Sequence, residues 1–247
     1  MFENKEGQDI PQVVFRTRKD NDWVDVHSSQ LFADKTVIVF SLPGAFTPTC
    51  SGSHVPRFSE LANTFSSNGV DEIVCLSVND AFVMNEWQTD QKAENVTFIP
   101  DGNGEFTEAM GLLVDKNDLG FGKRSWRYSM LVKDGVIEKM FIETDGPGDP
   151  YEVSDADTML DYINPKAIRP EDVVLFTRSG CPFCSRAKGI LQDSGIDYEE
   201  IKIDRDTNQR GVRAITGSDT VPQMFANGKY IGDSKAIADY FNVEKAA

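Results

Sequence analysis

In two places along this chain, a short apolar strand runs into a cysteine and then into an amphipathic helix. In the first, Thr36–Leu42 (TVIVFSL) leads to Cys50, and apolar residues then recur at helical spacing. In the second, Val173–Thr177 (VVLFT) leads to Cys181, and a helix with one apolar face follows. A buried strand that turns into a helix is the building unit of α/β folds. We therefore predict two α/β units in tandem.

A proline-containing segment, residues 164–170 (NPKAIRP), separates the two units. Proline ends helices and biases the preceding residue toward extended backbone, so this segment is predicted to be a linker between domains 1–163 and 171–247. Charge supports the division, because residues 1–164 carry 28 acidic and 13 basic side chains whereas residues 165–247 carry 12 of each. The alternative is a loop inside a single domain.

Composition and charge argue against several classes of protein. The formal net charge of −15 disfavours binding to nucleic acid or to an anionic membrane. The amino-terminal MFENKEGQDIP lacks the apolar segment of a signal peptide, and no apolar stretch is long enough to span a bilayer. Four cysteines are too few for a disulfide-stapled fold. We expect a cytoplasmic protein, in which a cysteine pair is catalytic or metal-binding.

Local signals predict further elements. Asp134-Gly135 and Asn227-Gly228 are typical two-residue hairpin turns. Ser154 and Asp157 resemble a capping box at the start of a helix that ends near residue 163.

Cys181-Pro182-Phe183-Cys184 lies between the strand and the helix of the second unit. Proline suits the first helical turn, where its missing N–H costs nothing, and the free N–H groups of that turn stabilise a thiolate at Cys181. Cys184, one turn inside the helix, is expected to be more buried. A zinc site needs about four ligands, and both histidines lie far upstream, so we predict redox chemistry and no metal.

Residues 171–247 resemble glutaredoxin, through the Cys181–Cys184 motif and Thr220-Val221-Pro222. The resemblance implies a thioredoxin-like fold, a cis peptide bond before Pro222 and backbone pairing of Val221 with the cysteine of glutathione.

The same resemblance implies which other residues bind glutathione. Arg178 is expected to meet the glycine carboxylate, and the helix start at Gly232, Asp233 and Ser234 is expected to hold the γ-glutamyl carboxylate. The family often has Gly-Gly followed by acidic residues there, whereas this chain has Gly-Asp-Ser-Lys, so the partner of the glutathione amine stays open.

Cys50 closes the pattern P-x-x-x-T-x-x-C, which begins at Pro43 and includes Thr47. A cysteine that reduces peroxide must be ionised, shielded and surrounded by hydrogen-bond donors. A helix start favours the thiolate, the Thr47 hydroxyl can donate to thiolate or peroxide, and Pro43 shields the site. An arginine can hold the thiolate and stabilise the leaving oxygen without losing its own charge.

Residues 1–163 resemble the type-five peroxiredoxins, which also share the thioredoxin-like fold. The matching runs are the Cys50 motif, Cys75–Val83 (CLSVNDAFV) and Arg127–Met130 (RYSM). The resemblance implies that Arg127 is the catalytic arginine. Arg124 is the competing candidate, and we expect it to be a surface cation instead.

The remaining cysteine and histidine of interest are assigned structural roles. Cys75 lies within an apolar strand and is predicted to be a core residue, because free cysteine often packs as a small hydrophobe. Residues 143–163 contain no cysteine that could resolve an oxidised Cys50, so a one-cysteine peroxidase is expected. His54 is predicted to lie on a helix surface or at an interface.

The whole chain resembles the bacterial hybrid peroxiredoxin–glutaredoxin fusions. This implies a glutathione-dependent peroxidase for hydrogen peroxide and alkyl hydroperoxides, in which Cys50 becomes a sulfenic acid, is glutathionylated and is recycled by Cys181. Glutathione is then a co-substrate, no bound cofactor is needed, and a separate glutathione reductase supplies electrons. We expect a homo-oligomer, either a dimer or a tetramer.

Two other functions remain open at this stage. One is a general glutathione-disulfide oxidoreductase or deglutathionylase that uses the first domain as a binding module. The other is a non-enzymatic iron–sulfur scaffold formed through Cys181 and glutathione.

Overall fold

The computed structural model describes residues 2–20, 22–146 and 148–244. The outer limits of the two predicted domains, residue 1 and residues 245–247, lie outside this range. The chain forms two compact units that divide between Ile168 and Arg169, within the segment 164–170. Because each unit has its own core, we describe them separately.

The first unit is built of strands and short helices. In chain order they are β1 (Val14–Lys19), β2 (Asp22–His27), α1 (Ser28–Phe32), β3 (Thr36–Leu42), α2 (Val55–Glu60), α3 (Ala62–Ser67), β4 (Glu72–Ser77), α4 (Ala81–Gln91), β5 (Thr97–Pro100), α5 (Glu105–Ala109), β6 (Leu113–Asp115), β7 (Lys123–Ser125), β8 (Tyr128–Lys133), β9 (Val136–Ile142) and α6 (Ala156–Ile163).

A five-stranded sheet of order β5-β4-β3-β8-β9 forms the centre of this unit. Strands β3, β4 and β5 are parallel, whereas β8 runs antiparallel to β3 and β9 antiparallel to β8. The predicted Asp134-Gly135 turn joins β8 to β9 with positive φ at both residues, as a two-residue hairpin requires.

Alternate residues of the central strand β3 enter two separate cores. Ile38, Phe40 and Leu42 pack in one core, and Val37 and Val39 pack in the other. Because both faces of the sheet are covered, consecutive residues from Val37 to Phe40 are apolar and do not alternate with polar ones.

Helix α6 begins differently from our prediction. Its N-cap is Asp155, whose carboxylate accepts a hydrogen bond from the backbone N–H of Thr158 at 2.9 Å. The predicted Ser154–Asp157 capping box is therefore wrong. Ser154 is buried instead, and its backbone N–H and hydroxyl both donate to Glu143.

The second unit is a smaller α/β structure. Its elements are β10 (Val173–Thr177), α7 (Pro182–Asp193), β11 (Glu199–Lys202), α8 (Gln209–Thr216), β12 (Gln223–Ala226), β13 (Lys229–Gly232) and α9 (Ser234–Glu244).

The four strands of this unit have the order β11-β10-β12-β13. Strand β10 pairs parallel with β11 and antiparallel with β12. Apolar residues of α7 and α9 pack on one face of the sheet, and Val212 of α8 packs on the other. The predicted α/β class is confirmed for both units. Among the described residues, no helix has the length and apolar character needed to cross a membrane.

Candidate active sites

Cys50 lies in the first turn of the helical segment that follows β3. The backbone is helical from Pro48 onward, passes through a π-helical turn over Cys50–His54 and continues into α2. The Cys50 side chain is buried and its thiol is free. The strand-to-helix loop thus places Cys50 at the positive end of a helix, where a thiolate is favoured.

Arg127 approaches Cys50 from the strand next to β3. It directly precedes β8, whose first residue, Tyr128, pairs with Ser41 near the end of β3. Its Nη2 lies 3.5 Å from Cys50 Sγ, and only 1% of the arginine is exposed. Burial acts to lower the pKa of Arg127, but the charges of Cys50 and Asp149 outweigh it and raise that pKa. The arginine therefore keeps its charge beside the sulfur.

Pro43 and Thr47 frame the loop that leads to Cys50. Pro43 is buried, and the Thr47 hydroxyl donates to the Gly44 carbonyl at 2.9 Å. A hydroxyl has one hydrogen and two lone pairs. Thr47 Oγ1 is therefore left as an acceptor, whereas we expected a donor.

Arg124 is not the surface cation we expected. Its side chain is half-buried, and its Nη1 donates to the Val78 carbonyl at 2.9 Å. Its Nε lies 3.7 Å from the point where a Cβ on Gly44 would stand. Arg124 thus supports the loop before Cys50, whereas Arg127 reaches the sulfur.

His54 is fully buried, so the predicted surface or interface position is wrong. Its Nδ1 lies 3.0 Å from Arg127 Nη1, and its Nε2 lies 3.1 Å from the Ser154 carbonyl oxygen. Arginine can only donate, so Nδ1 is the acceptor and Nε2 carries the hydrogen. Burial first, and then the charge of Arg127, lower the pKa of His54 to about 3. His54 is therefore neutral, and it fixes the position of Arg127 by accepting a hydrogen bond from Nη1.

Two residues that we did not predict from the sequence complete the surroundings of Arg127. The Asp149 carboxylate oxygens lie 2.5 and 2.6 Å from Arg127 Nη2. The Tyr151 ring centroid lies 5.6 Å from the guanidinium carbon, within cation–π distance. Only the acidic composition of the segment 143–157 hinted at a role in charge pairing.

Cys75 lies in β4 opposite Phe40 of β3 and is fully buried. Burial first, and then the charge of Cys50, raise the pKa of Cys75 well above its usual value. The thiol therefore stays protonated, which agrees with a core position.

The second cysteine site lies at the start of α7. Cys181 and Cys184 are joined by a disulfide, and Cys181 is the N-cap residue with Pro182 as the first helical residue. The Cys184 backbone N–H donates to Cys181 Sγ at 3.1 Å. Cys184 is buried and Cys181 is half-buried, so the more accessible sulfur is the one at the helix start.

A cleft of about 540 Å³ lies beside this disulfide. Cys181 Sγ is 3.7 Å from the carbonyl oxygen of Val221, which precedes the predicted cis peptide bond to Pro222. Five of the residues that we predicted to bind glutathione line the cleft, namely Thr220, Val221, Pro222, Asp233 and Ser234. Arg186 and Lys235 also line it, and neither was predicted.

The structure adds detail at three residues of the predicted glutathione site. Arg178 is not among the residues lining the cleft, and its Nη2 donates to Gln209 at 2.8 Å. Gly232 adjoins the cleft with φ +127°, and a Cβ there would lie 2.9 Å from Ala236. Asp233 caps α9 by accepting from the N–H groups of residues 235 and 236, so these are not free for a ligand carboxylate.

Each of the two units matches a known protein family. The Redoxin family model matches residues 5–160, and the Glutaredoxin model matches residues 173–231. The chain is 61% identical over 236 residues to hybrid peroxiredoxin hyPrx5 of Haemophilus influenzae, which covers 96% of this chain and 98% of that protein. The chain is a hybrid peroxiredoxin. It combines a peroxiredoxin domain with a fused glutaredoxin domain.

Other relatives of the hybrid peroxiredoxin match its first unit. Peroxiredoxin sll1621 of Synechocystis is 55% identical over 167 residues, which cover 62% of this chain and 88% of that protein. The crystal structure of reduced Prx3 from Vibrio vulnificus in complex with H2O2 has 38% identity and a TM-score of 0.62, and covers 66% of this chain and all of that one. The thioredoxin-like fold predicted for both units is thereby confirmed.

Proposed function

We propose that this hybrid peroxiredoxin is a glutathione-dependent thiol peroxidase that reduces hydrogen peroxide and alkyl hydroperoxides at Cys50. The observation that carries this proposal is the 3.5 Å contact between Arg127 Nη2 and Cys50 Sγ in a buried site at a helix start. A fixed cation beside the sulfur favours both the thiolate and the negative charge that develops on the leaving oxygen.

In the first step, the Cys50 thiolate attacks the terminal oxygen of the hydroperoxide. A sulfur–oxygen bond forms, the oxygen–oxygen bond breaks, and an alkoxide leaves and takes up a proton. The sulfur is oxidised to sulfenic acid and the peroxide is reduced to an alcohol, or to water. Thr47 Oγ1, whose hydrogen is directed at Gly44, is an acceptor for the peroxide O–H.

Recycling requires a thiol from outside the first unit. In the described part of this unit, the only other cysteine is Cys75, which is buried and protonated. Glutathione condenses with the sulfenic acid and releases water, leaving a mixed disulfide on Cys50. The Cys181 thiolate then attacks the glutathione sulfur and frees Cys50. A second glutathione attacks the Cys181 mixed disulfide and leaves as oxidised glutathione.

The cleft beside Cys181 supports this role for glutathione. Arg186 and Lys235 bring positive charge to it beside the carboxylates of Asp233 and Asp239, and the backbone of Val221 is close to the attacking sulfur. The Cys181–Cys184 disulfide is the oxidised form of the site, which two glutathione molecules reduce before the relay begins. Cys184 tunes Cys181 and is not itself part of the relay. The cycle uses glutathione as a co-substrate and needs no bound cofactor.

The test is glutathione-dependent peroxide consumption by four single variants. Cys50→Ser is expected to abolish it, Cys181→Ser to slow turnover severely, and Cys184→Ser to retain most of it. Cys75→Ala is the matched control, since it removes a thiol that takes no part. Full consumption by Cys50→Ser would disprove the peroxidase assignment, and unchanged turnover by Cys181→Ser would disprove the relay.

The same variants distinguish the glutathione-dependent peroxidase from the alternative function, a general deglutathionylase. Its specific support is the open cleft at Cys181, which is independent of Cys50. Reduction of a glutathionylated protein that needs Cys181, together with peroxide consumption that does not, would favour it.

The cellular setting is also part of the proposal. We place the enzyme in the cytoplasm as a homo-oligomer, with glutathione reductase regenerating glutathione. Sedimentation of the full chain would distinguish a dimer from a tetramer.

A further inference from the structure

The carboxylate of Asp149 lies on the outer side of Arg127, between the guanidinium and solvent. Both of its oxygens are within 2.6 Å of Nη2, the same nitrogen that approaches Cys50 Sγ. The arginine side chain is 1% exposed, whereas that of Asp149 is 39% exposed. On this side of the site, the group that solvent reaches is therefore the carboxylate and not the buried cation.

The hydrogen-bond donors of Arg127 are largely occupied. One hydrogen of Nη2 is directed at Cys50 and the other at Asp149, while Nη1 donates to His54. Nε is buried and has no partner among the described residues, and Nη1 keeps a second hydrogen, whereas both hydrogens of Nη2 are engaged. With both hydrogens of Nη2 engaged, an arriving carboxylate cannot form the paired contact that uses Nη2 together with a neighbouring nitrogen of the guanidinium.

Charge within the site also counts against an anionic substrate. With Cys50 as the thiolate, its charge and that of Asp149 together exceed the single positive charge of Arg127. The segment that carries Asp149 adds further acids nearby, including Glu143 and Glu152. An arriving carboxylate thus finds the cation already paired and a second anion beside it.

We propose that Asp149 is a specificity-determining residue, which makes the Cys50 site select uncharged hydroperoxides over hydroperoxides that carry a carboxylate near the O–O bond. Asp149 affects which hydroperoxide reaches Cys50. It does not affect the transfer of oxygen to sulfur that follows. The proposal rests on the peroxidase reaction at Cys50 and is independent of how glutathione returns the sulfur to the thiol.

The experiment uses the full-length protein, reduced beforehand, in a single turnover without glutathione. Two aryl alkyl hydroperoxides are compared, one with a ring carboxylate and one with the methyl ester of that carboxylate. Trp87 is a suitable fluorescent reporter, because its indole N–H donates to Ser51, next to Cys50, at 2.9 Å. The measured quantity is the ratio of the second-order rate constants for ester and acid.

Asp149→Asn is expected to lower this ratio at least about fivefold, the size expected for two unit charges about 4 Å apart that are screened as in bulk water. The ester serves as an internal reference for any general effect on the site. Glu152→Gln is the matched control, since it removes one exposed charge from the same segment, three residues along the chain. The ratio is expected to fall far less in this control, because solvent and salt screen an exposed charge.

Two results would overturn the proposal. An unchanged ratio in Asp149→Asn would show that the carboxylate does not discriminate; if both rate constants change equally, Asp149 only positions Arg127 or affects the thiolate. An equal fall of the ratio in Glu152→Gln would assign the selectivity to the general field of the acidic segment. None of these results depends on recycling, so the glutathione relay is tested separately.

Discussion

The Nδ1 nitrogen of His54 accepts a hydrogen bond from Nη1 of Arg127 at 3.0 Å, while Nη2 of the same guanidinium lies 3.5 Å from Cys50 Sγ. The imidazole is fixed in turn, because its Nε2 donates to the Ser154 carbonyl. His54 is therefore a positioning residue, which acts on the reacting sulfur through Arg127.

Replacing His54 by leucine or asparagine separates its hydrogen bond from its packing. Leucine fills similar space without an acceptor, whereas the asparagine Oδ1 stands close to the place of Nδ1. A buried donor left without a partner costs about 1–3 kcal/mol, so we expect His54→Leu to lower the second-order rate constant for peroxide about tenfold. Asparagine should restore most of it in stopped-flow measurements. Equal losses in both variants would mean that His54 only fills space.

The same histidine should make the first unit sensitive to acid. The folded pKa of about 3 lies below the ordinary value of 6.5, so the unfolded state binds more protons between these values. Stability from the neutral imidazole is complete above about pH 6.5 and is lost as the pH falls. Between pH 7 and pH 5 the expected loss is about 2 kcal/mol, at roughly 1.4 kcal/mol per pH unit.

Urea unfolding at the two pH values measures this loss. All three tryptophans, Trp23, Trp87 and Trp126, belong to the first unit, so their fluorescence reports its unfolding. His54→Leu is the control, and its free energy of unfolding should fall by about 2 kcal/mol less than that of the wild type over the same range. If the two proteins lose the same stability, the acid sensitivity comes from other groups.

Cys75 provides a prediction about the core rather than the reaction. Cys75→Ala removes one buried atom and should cost about 1 kcal/mol, with peroxide consumption retained. Cys75→Ser places a hydroxyl in the same apolar position and should cost about 1–3 kcal/mol, because a buried polar group needs a partner. Thermal unfolding and a peroxide assay check both. Loss of turnover in the alanine variant at full stability would show that the Cys75 thiol takes part in recycling.

The features that the sequence predicts well are local. Strands β3 and β10 have the predicted bounds, because short apolar runs define them, and the Asp-Gly turn lies where it was predicted. The site residues Pro43, Thr47 and Cys50 are likewise recognisable in the sequence, because they belong to one continuous segment. The cis bond before Pro222 and the placement of Arg127 at Cys50 came from the family resemblance, which adds knowledge of the fold.

The features that the sequence missed depend on distant contacts. The Ser154 carbonyl meets His54 across 100 positions of sequence, and Arg127 meets His54 across 73. Glu143 explains part of this arrangement, because its Oε1 accepts from three consecutive N–H groups at residues 152–154. Periodicity and spacing describe neighbours along the chain, so they cannot report that a remote carboxylate organises this segment. For the same reason the sequence does not indicate that Asp149 is a partner of Arg127.

Net charge leads to a prediction about the capture of glutathione. The whole excess of 15 negative charges belongs to residues 1–164, and glutathione is itself anionic near neutral pH. Its approach to the oxidised Cys50 site is therefore opposed by the field of this unit, to which the partly exposed Asp149 contributes.

Salt screens such repulsion over about 10 Å at 0.1 M. Turnover at low glutathione should rise by about two- to threefold between 10 and 150 mM salt. Turnover at saturating glutathione, where capture is not limiting, should change little and serves as the control. A steep fall at low glutathione would instead show that local cations such as Arg186 and Lys235 govern capture.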